Sequence, residues 1–317
     1  MRILLLVLTV SAALAQERVI PSEGDVYAAE FTNGKLVTAL CADGLRQWDL
    51  TSGSVRKSIR LAKDEMPLAL PAGGGVFAVK NHNGVITVRD SETEKEALRI
   101  AGSFRPDFYS AAVSTDGKLV AAPIRVKGNS RNDVLHVWDE AGNERFSVPA
   151  GMGGSLPVFS PDGSMVAAAS ADTNLRIWAT RDGELLQVID DLLVSMFALS
   201  FTPDGRFLAA AGVDRIVYFW DTRTWKLVHK LTGQPEMINA MAFSADGRLL
   251  ATGGSNDISE THPVSILLWD VASAKNVATL QVPHAVYSVA FSPDGKWLVA
   301  GSGEKSVRMW ELRQYLR

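Results

Sequence analysis

The sequence predicts an all-β protein built as a β-propeller, and two recurring sets of residues support this fold class. A short apolar run that ends in tryptophan recurs along the chain, and a glycine-containing turn recurs about fifteen residues before each run. Both series give seven copies at intervals of about 40 to 49 residues, the spacing of propeller blades. The 317 residues are 47% apolar and 21% charged, so the chain can bury a large core.

The first series ends in tryptophan in six of its seven copies. These residues are Trp48, Trp138, Trp178, Trp220, Trp269 and Trp310. The 90 residues between the first two are two periods, and Ile86–Asp90 lies in the middle of this interval. That segment has the same pattern as the other runs but carries Arg89 where they carry tryptophan. We therefore predict seven repeats.

The second series consists of tight turns between apolar runs. They lie at Asn33-Gly34, Gly74-Gly75, Asp116-Gly117, Asp162-Gly163, Asp204-Gly205, Asp246-Gly247 and Asp294-Gly295. In such turns aspartate bonds to the local backbone, and glycine takes the positive φ that other residues avoid. Because apolar runs flank each turn, each one predicts a β-hairpin.

The last copy carries the clearest resemblance to a known family. Ser292–Gly295 and Gly301–Glu311 together resemble the tryptophan-aspartate (WD) repeat, and Ser160–Trp178 resembles it as well. The resemblance extends from about Glu17 to the last residue. It implies a single domain over residues 16–317, in which seven four-stranded antiparallel blades surround a central channel.

Several copies depart from the WD pattern. Arg89 replaces tryptophan, and Ala179 and Glu311 replace the aspartate. The Gly-His pair that often precedes the first strand in this family is retained only as Gly233-Gln234. The family builds a hydrogen-bonded tetrad on that histidine, so we do not expect the tetrad in most blades.

The two ends of the repeat region predict how the ring closes. The last copy supplies three strands and reaches its end near Leu312, while Glu17–Ile20 is one extended segment before the first full copy. In the closure scheme of the family, this segment is the outer strand of blade seven. Pairing of the two segments would leave no open half-blade.

Residues 1–15 have the pattern of a secretory signal peptide. Arg2 precedes the apolar run Ile3–Val10, and Ala13-Leu14-Ala15 gives a small-x-small cleavage pattern before Gln16. A membrane anchor is the alternative, but the apolar run is shorter than the roughly 20 residues that span a bilayer. We expect an exported protein, periplasmic or extracellular after cleavage near Ala15-Gln16, with no transmembrane segment in the mature chain.

The sequence carries no signature of catalysis or metal binding. It lacks His-Glu-x-x-His, paired cysteines and Gly-x-Ser-x-Gly, and its five histidines lie in different copies. Gly303–Ser306 is only superficially like a phosphate loop, because Glu304 stands where the second glycine belongs and a strand follows. We predict a protein that is not an enzyme and needs no cofactor. The net charge of −3 and the absence of a basic patch argue against nucleic acid as a partner.

Four aromatic residues occupy one equivalent position, directly after the apolar start of a first strand. They are Tyr27, Tyr109, Phe197 and Tyr287. Such a set could line a ligand channel or stack on bases. Because blade faces are buried against neighbouring blades, we favour packing between blades as their role.

The repeat spacing is longest where blades three and six carry extra residues, Ile124–Val134 and Asn256–Val264. In the WD family these loops lie on the same face as the links between blades, which is the usual partner-binding face. Surface insertions are also tolerated without any function. The candidate partner-binding residues in the two inserts are Arg125, Lys127, Arg131, Asp257, Glu260 and His262.

Two functions remain open from the sequence. The first is a non-catalytic scaffold outside the cytoplasm that binds a protein or peptide on the loop face. The alternative is an exported propeller enzyme or small-ligand binder with its site at the mouth of the central channel, which rests on analogy of fold. Three or more His, Asp or Glu side chains converging at that mouth would favour the alternative. The sequence gives neither the partner nor the oligomeric state.

Overall fold

A computed structural model describes residues 17–32, 34–71, 73–100, 111–125, 133–151, 156–255 and 262–315. Within these ranges the chain forms 28 strands and one short 3-10 helix, Leu312–Gln314. The strands make seven four-stranded antiparallel sheets, which are the blades of a propeller. The predicted fold class is therefore confirmed.

The first three blades take their strands consecutively from the chain, with the first strand of each blade at the channel. Blade one consists of β2 (Val26–Thr32), β3 (Leu36–Cys41), β4 (Gly44–Asp49) and β5 (Val55–Arg60). Blade two consists of β6 (Glu65–Ala69), β7 (Val76–Asn81), β8 (Ile86–Asp90) and β9 (Glu96–Ile100). Blade three consists of β10 (Ala112–Val113), β11 (Val120–Arg125), β12 (Asp133–Trp138) and β13 (Glu144–Gly151).

The same order continues in the next three blades. Blade four consists of β14 (Leu156–Phe159), β15 (Met165–Ala169), β16 (Leu175–Ala179) and β17 (Leu185–Ile189). Blade five consists of β18 (Met196–Phe201), β19 (Phe207–Gly212), β20 (Val217–Asp221) and β21 (Leu227–Leu231). Blade six consists of β22 (Ile238–Phe243), β23 (Leu249–Gly254), β24 (Val264–Asp270) and β25 (Lys275–Val282).

Blade seven combines the two ends of the repeat region, as predicted. It consists of β26 (Val286–Phe291), β27 (Trp297–Ser302), β28 (Ser306–Glu311) and β1 (Glu17–Pro21). Strand β1 runs antiparallel to β28, with Glu17 opposite Trp310 and Pro21 opposite Ser306. The Arg18 guanidinium donates to the Leu50 carbonyl of blade one and lies 5.1 Å from the centre of the Trp297 ring. This strand thus closes blade seven and connects it to blade one.

The six repeated tryptophans fill the seams, by which we mean the packed contacts between neighbouring blades. Trp220 of blade five belongs to one buried cluster with Leu175 of blade four, and Trp310 of blade seven to another with Ile266 of blade six. The same relation to the preceding blade holds for Trp48, Trp138, Trp178 and Trp269. Each of these indole rings is almost fully buried, so the repeated tryptophan joins its blade to the preceding one.

The seam between blades one and two is packed without tryptophan among the described residues. Its buried cluster includes Leu40 and Leu45 of blade one and Phe77 of blade two. Arg89 instead forms an ion pair with Glu65 of the same blade, with 3.2 Å between Nη1 and Oε2. Phe77 therefore supplies the buried aromatic ring at this seam, and the Arg89 charge is compensated within its own blade.

Blade six contains a buried hydrogen-bond chain built on glutamine. Trp269 Nε1 donates to Thr252 Oγ1 at 2.8 Å, and Thr252 Oγ1 donates to Gln234 Oε1 at 2.8 Å. The Gln234 amide nitrogen donates to the Ser265 carbonyl at 3.0 Å and to Glu236 Oε2 at 3.1 Å. Gln234 thus replaces the histidine of the family tetrad, and the side-chain amide satisfies these buried groups in both directions.

The hairpin turns of blades three to seven share one hydrogen-bond pattern. Their aspartates are Asp116, Asp162, Asp204, Asp246 and Asp294. In blade seven, Ser292 Oγ donates to Asp294 Oδ1 at 2.7 Å and the Lys296 backbone N–H donates to the same oxygen at 3.1 Å. Burial alone would raise the pKa of Asp294, but the hydrogen bonds from Ser292 and Lys296 lower it to about 2. The charged aspartate therefore fixes the turn, as its sequence pattern predicts.

Candidate functional site

Four side chains line one mouth of the central channel because the first strand of their blade is bulged. In blade five, Met196 lies opposite Gly212 and Ala198 opposite Ala211, so Phe197 has no opposing residue. The same shift leaves out the equivalent residue in blades one, six and seven. A bulge redirects the side chain of its extra residue. The four redirected residues, which line the channel, are Tyr27, Phe197, Asn239 and Tyr287.

The structure corrects our packing interpretation of the repeated aromatic residues. Tyr27 is 43% exposed and Phe197 is 40% exposed, so neither is buried between blades. The Tyr27 and Tyr287 rings lie side by side, with 6.2 Å between their centroids and 33° between their planes. Tyr109, the fourth member of that series, lies outside the described residues. The channel mouth therefore presents aromatic surface to solvent.

Glu30 is the one charged side chain that lines the described part of the channel. The channel holds a cavity of about 340 Å³, lined also by Leu68 and Leu70. Desolvation raises the pKa of Glu30 from its usual 4.5 to about 8, and a hydrogen bond from the Gly73 backbone opposes this effect. Protein surrounds this carboxyl, while the side chain keeps some contact with solvent in the channel. The raised pKa favours the neutral form of the Glu30 carboxyl near pH 7.

We expect Glu30→Gln to stabilise the protein at pH 8.5 by about 2 to 4 kcal/mol, because solvent contact of the side chain reduces the effect of a pKa raised from 4.5 to about 8, and to leave stability at pH 4 unchanged. Between pH 4.5 and pH 8 the folded state retains a proton on Glu30 that the unfolded state has lost, so stability falls as the pH rises through this window. Urea unfolding at several pH values measures the difference. Glu140→Gln, which removes an exposed carboxylate, is the matched control. Parallel pH profiles for Glu30→Gln and the wild type would contradict the assignment.

One face of the ring, which we call the link face, carries the links between blades and the loops between second and third strands. Backbone hydrogen bonds join the two kinds of segment, for example Ala42 N–H to the Asp25 carbonyl at 3.0 Å and Gly303 N–H to the Ala285 carbonyl at 3.2 Å. The aromatic channel mouth opens on this face, because its bulged residues directly follow the links. The two predicted inserts belong to loops of this kind.

The structure describes only part of the predicted partner-binding set. His262 is exposed and precedes β24 by two residues. Arg125 is the last residue of β11, and the structure describes its backbone only. The other four candidates, Lys127, Arg131, Asp257 and Glu260, lie outside the described residues. Their role as a binding surface stays a prediction.

A second feature of the link face is an apolar group that the sequence analysis missed. We call Leu193, Phe197 and Val213 the blade-five patch. Leu193 is 92% exposed and Val213 is 38% exposed. The Val213 N–H donates to the Ser195 carbonyl at 3.3 Å, which brings the loop after β19 onto the link that holds Leu193. The sequence did carry a sign of this patch. In the run Asp190–Val194, apolar residues follow two acids within a link between blades.

Carboxylates border the blade-five patch. Asp190 and Asp191 directly precede the apolar pair, and both are exposed. Asp214 Oδ2 accepts a hydrogen bond of 2.8 Å from the Tyr218 hydroxyl. Burial raises the pKa of Tyr218 to about 12, helped by the hydrogen bond to Asp214 and by the negative charges of Asp214 and Asp191. The charges of an acid of the link and of an acid of the neighbouring loop thus act on the same hydroxyl.

Two other acids that recur before third strands, Asp43 and Asp172, form ion pairs within their own blades. Asp43 pairs with Arg46 at 2.6 Å, and Asp172 pairs with Arg176 at 2.8 Å. The Asn174 backbone N–H also donates to Asp172 at 3.0 Å. Throughout the described ranges, no group of three His, Cys, Asp or Glu side chains is arranged to hold a metal ion. The helical residues that the structure describes include no segment long and apolar enough to cross a membrane.

Comparison with known proteins finds the same repeat. A family model described as WD domain, G-beta repeat matches residues 155–179, 194–221, 225–258 and 274–311, in blades four to seven. Autophagy-related protein 16 of Arabidopsis thaliana is 23% identical over 52% of this chain and 32% of its own length. The coronin-like protein of Saccharomyces cerevisiae is 34% identical over 18% of this chain and 9% of its own length. The small ribosomal subunit protein RACK1 of Medicago sativa is 38% identical over 15% of this chain and 14% of its own length. The matches span a third or less of these relatives.

Proposed function

Since this chain is a WD40-repeat protein, we propose that it is a non-catalytic scaffold that binds a protein or peptide partner on its link face. WD40 propellers typically serve as protein-interaction scaffolds. The observation that carries the proposal is the exposed apolar surface of the link face, with Leu193 and the aromatic mouth at Tyr27 and Phe197. Exposed apolar groups that lie together on one face are typical of interaction sites.

The channel mouth supports the scaffold over a catalytic site. Its described lining combines aromatic rings and an amide with one carboxyl, Glu30, which lies among apolar side chains. Catalysis by general acids and bases needs titratable groups that converge on one reacting atom. Binding of a small ligand by Tyr27, Tyr287 and Glu30 is the second candidate function, favoured by the paired rings.

The proposal is tested by capture of partners from the extracytoplasmic fraction of the source cells. We expect the wild type to retain a partner that the triple variant Arg125→Ala, Lys127→Ala, Arg131→Ala loses, with unchanged thermal unfolding. The matched control is Lys118→Ala, Arg206→Ala, Lys296→Ala, which removes three positive charges from exposed turns on the opposite face. Equal capture by both triple variants would contradict binding through the first insert.

We also propose that the protein acts outside the cytoplasm. The support is the pattern of residues 1–15, which lie outside the described residues. Mass spectrometry of the protein isolated from its source should give an N-terminus at Gln16. An N-terminus at Met1 in the isolated protein would contradict export by cleavage.

A further inference from the structure

We propose that the blade-five patch, together with Asp190 and Asp191, binds a peptide segment in which an apolar side chain lies within three residues of Lys or Arg. This inference rests on the proposed scaffold function and names the chemistry of one partner site. It concerns a surface different from the two inserts, so the two proposals can fail separately.

The position of Leu193 is fixed by the residues around it. Leu192 and Met196 are both buried in the cluster between blades four and five. The link is thus anchored on each side of Leu193, and the leucine side chain is held outward in solvent. The hydrogen bond from Val213 to Ser195 holds the neighbouring loop against the same link. Because the backbone of the link is preorganised, a partner that covers Leu193 orders only the leucine side chain and not the link.

The patch shares one residue, Phe197, with the lining of the channel. This residue lies four positions after Leu193 and is redirected by the bulge of β18. Its exposed ring lines the same cavity as Tyr27 and Tyr287. Such a surface accommodates an extended segment of several residues, with one apolar side chain on the patch.

The charges around the patch select the flanking residues of the peptide. The carboxylates of Asp190 and Asp191 are exposed, and neither lies within ion-pair distance of a cation in the described ranges. Asp214 is the third acid of the group. Two cations belong to the neighbouring strands and loop: Arg215, which is exposed and directly follows Asp214, and Lys230, whose Nζ lies 4.9 Å from the centre of the Tyr218 ring. Carboxylates are in excess here, and the two beside Leu193 have no ion-pair partner among the described residues. They therefore favour a peptide that carries Lys or Arg next to its apolar residue.

The test is selection of a random twelve-residue peptide library, displayed on phage, against the full mature protein. We expect the enriched peptides to carry an apolar residue within three positions of Lys or Arg. Fluorescence anisotropy with the synthetic peptides should show affinity at least about tenfold weaker for Leu193→Ser and for Asp190→Asn, Asp191→Asn. All three substitutions are at exposed positions, and circular dichroism checks that the fold is unchanged.

The matched control is Leu185→Ser, which removes a leucine that is 52% exposed on the outer strand of blade four. It should bind the peptides as the wild type does. The inference would be overturned if acidic peptides were enriched, or if no peptide were enriched. It would also be overturned if Leu193→Ser bound the peptides with the affinity of the wild type. If the selected peptides bind independently of blade five but are lost in the Arg125, Lys127, Arg131 variant, this inference fails while the scaffold function stands.

Discussion

Deletion of residues 16–22 is expected to lower the melting temperature by about 10 °C. The deletion removes β1, which pairs residue for residue with β28 from Glu17 to Pro21. About five backbone hydrogen bonds, at roughly 1 kcal/mol each, are lost with the strand, and the edge of β28 becomes exposed. For a chain of this size 1 kcal/mol corresponds to roughly 2 °C. Thermal unfolding followed by circular dichroism gives the shift.

The control for the deletion is Val19→Ser. Val19 is half exposed in β1, so this substitution keeps the backbone pairing and removes only a solvent-facing side chain. We expect it to melt close to the wild type. A deletion variant that melted at the wild-type temperature would show that β1 does not hold the ring closed.

Gly254→Ala is expected to reduce the free energy of unfolding by about 3 to 5 kcal/mol or to prevent folding. A Cβ atom at this position would lie 1.8 Å from the Met237 carbonyl oxygen and 2.9 Å from the Asn239 nitrogen. Both contacts are with backbone at the bulge of β22, so no change of rotamer can relieve them. Urea unfolding of the purified variant measures the loss.

Gly75→Ala is the matched substitution. A Cβ atom there meets no atom within 4 Å, and the residue does not have a positive φ. We expect its stability to stay within about 0.5 kcal/mol of the wild type. If Gly254→Ala unfolded at the same urea concentration as Gly75→Ala, the close approach of the bulge to β23 would be refuted.

The repeated aromatic residues show what the sequence could and could not provide. Their equivalence is visible in the sequence, because Tyr27, Phe197 and Tyr287 follow the first apolar residue of a repeat. Their direction is not visible, because a bulge depends on how two strands pair and carries no fixed residue signature here. Strict alternation places these rings between blades, whereas the bulge turns them into the channel.

Gln234 and Leu193 show the same limit in other ways. The family pattern emphasises a histidine, so its replacement suggested that the tetrad was lost. The glutamine side chain, however, carries both a donor and an acceptor, and it makes both buried hydrogen bonds. Leu193 belongs to no repeated position, and its exposure follows from the burial of Leu192 and Met196 in the fold. The architecture was predictable because it is periodic. The blade-five patch was not, because it occurs once.

Because the repeated tryptophans lie in the seams, tryptophan fluorescence reports on the opening of most seams of the ring. Six of the seven seams contain one buried indole each, so local opening of any of them brings an emitter into water and shifts its fluorescence to longer wavelength. The contact between blades one and two, where Phe77 lies and Arg89 stands at the repeated position, is spectroscopically silent. A ring that separated first between these two blades would lose its circular integrity while its tryptophan emission stayed that of the intact protein.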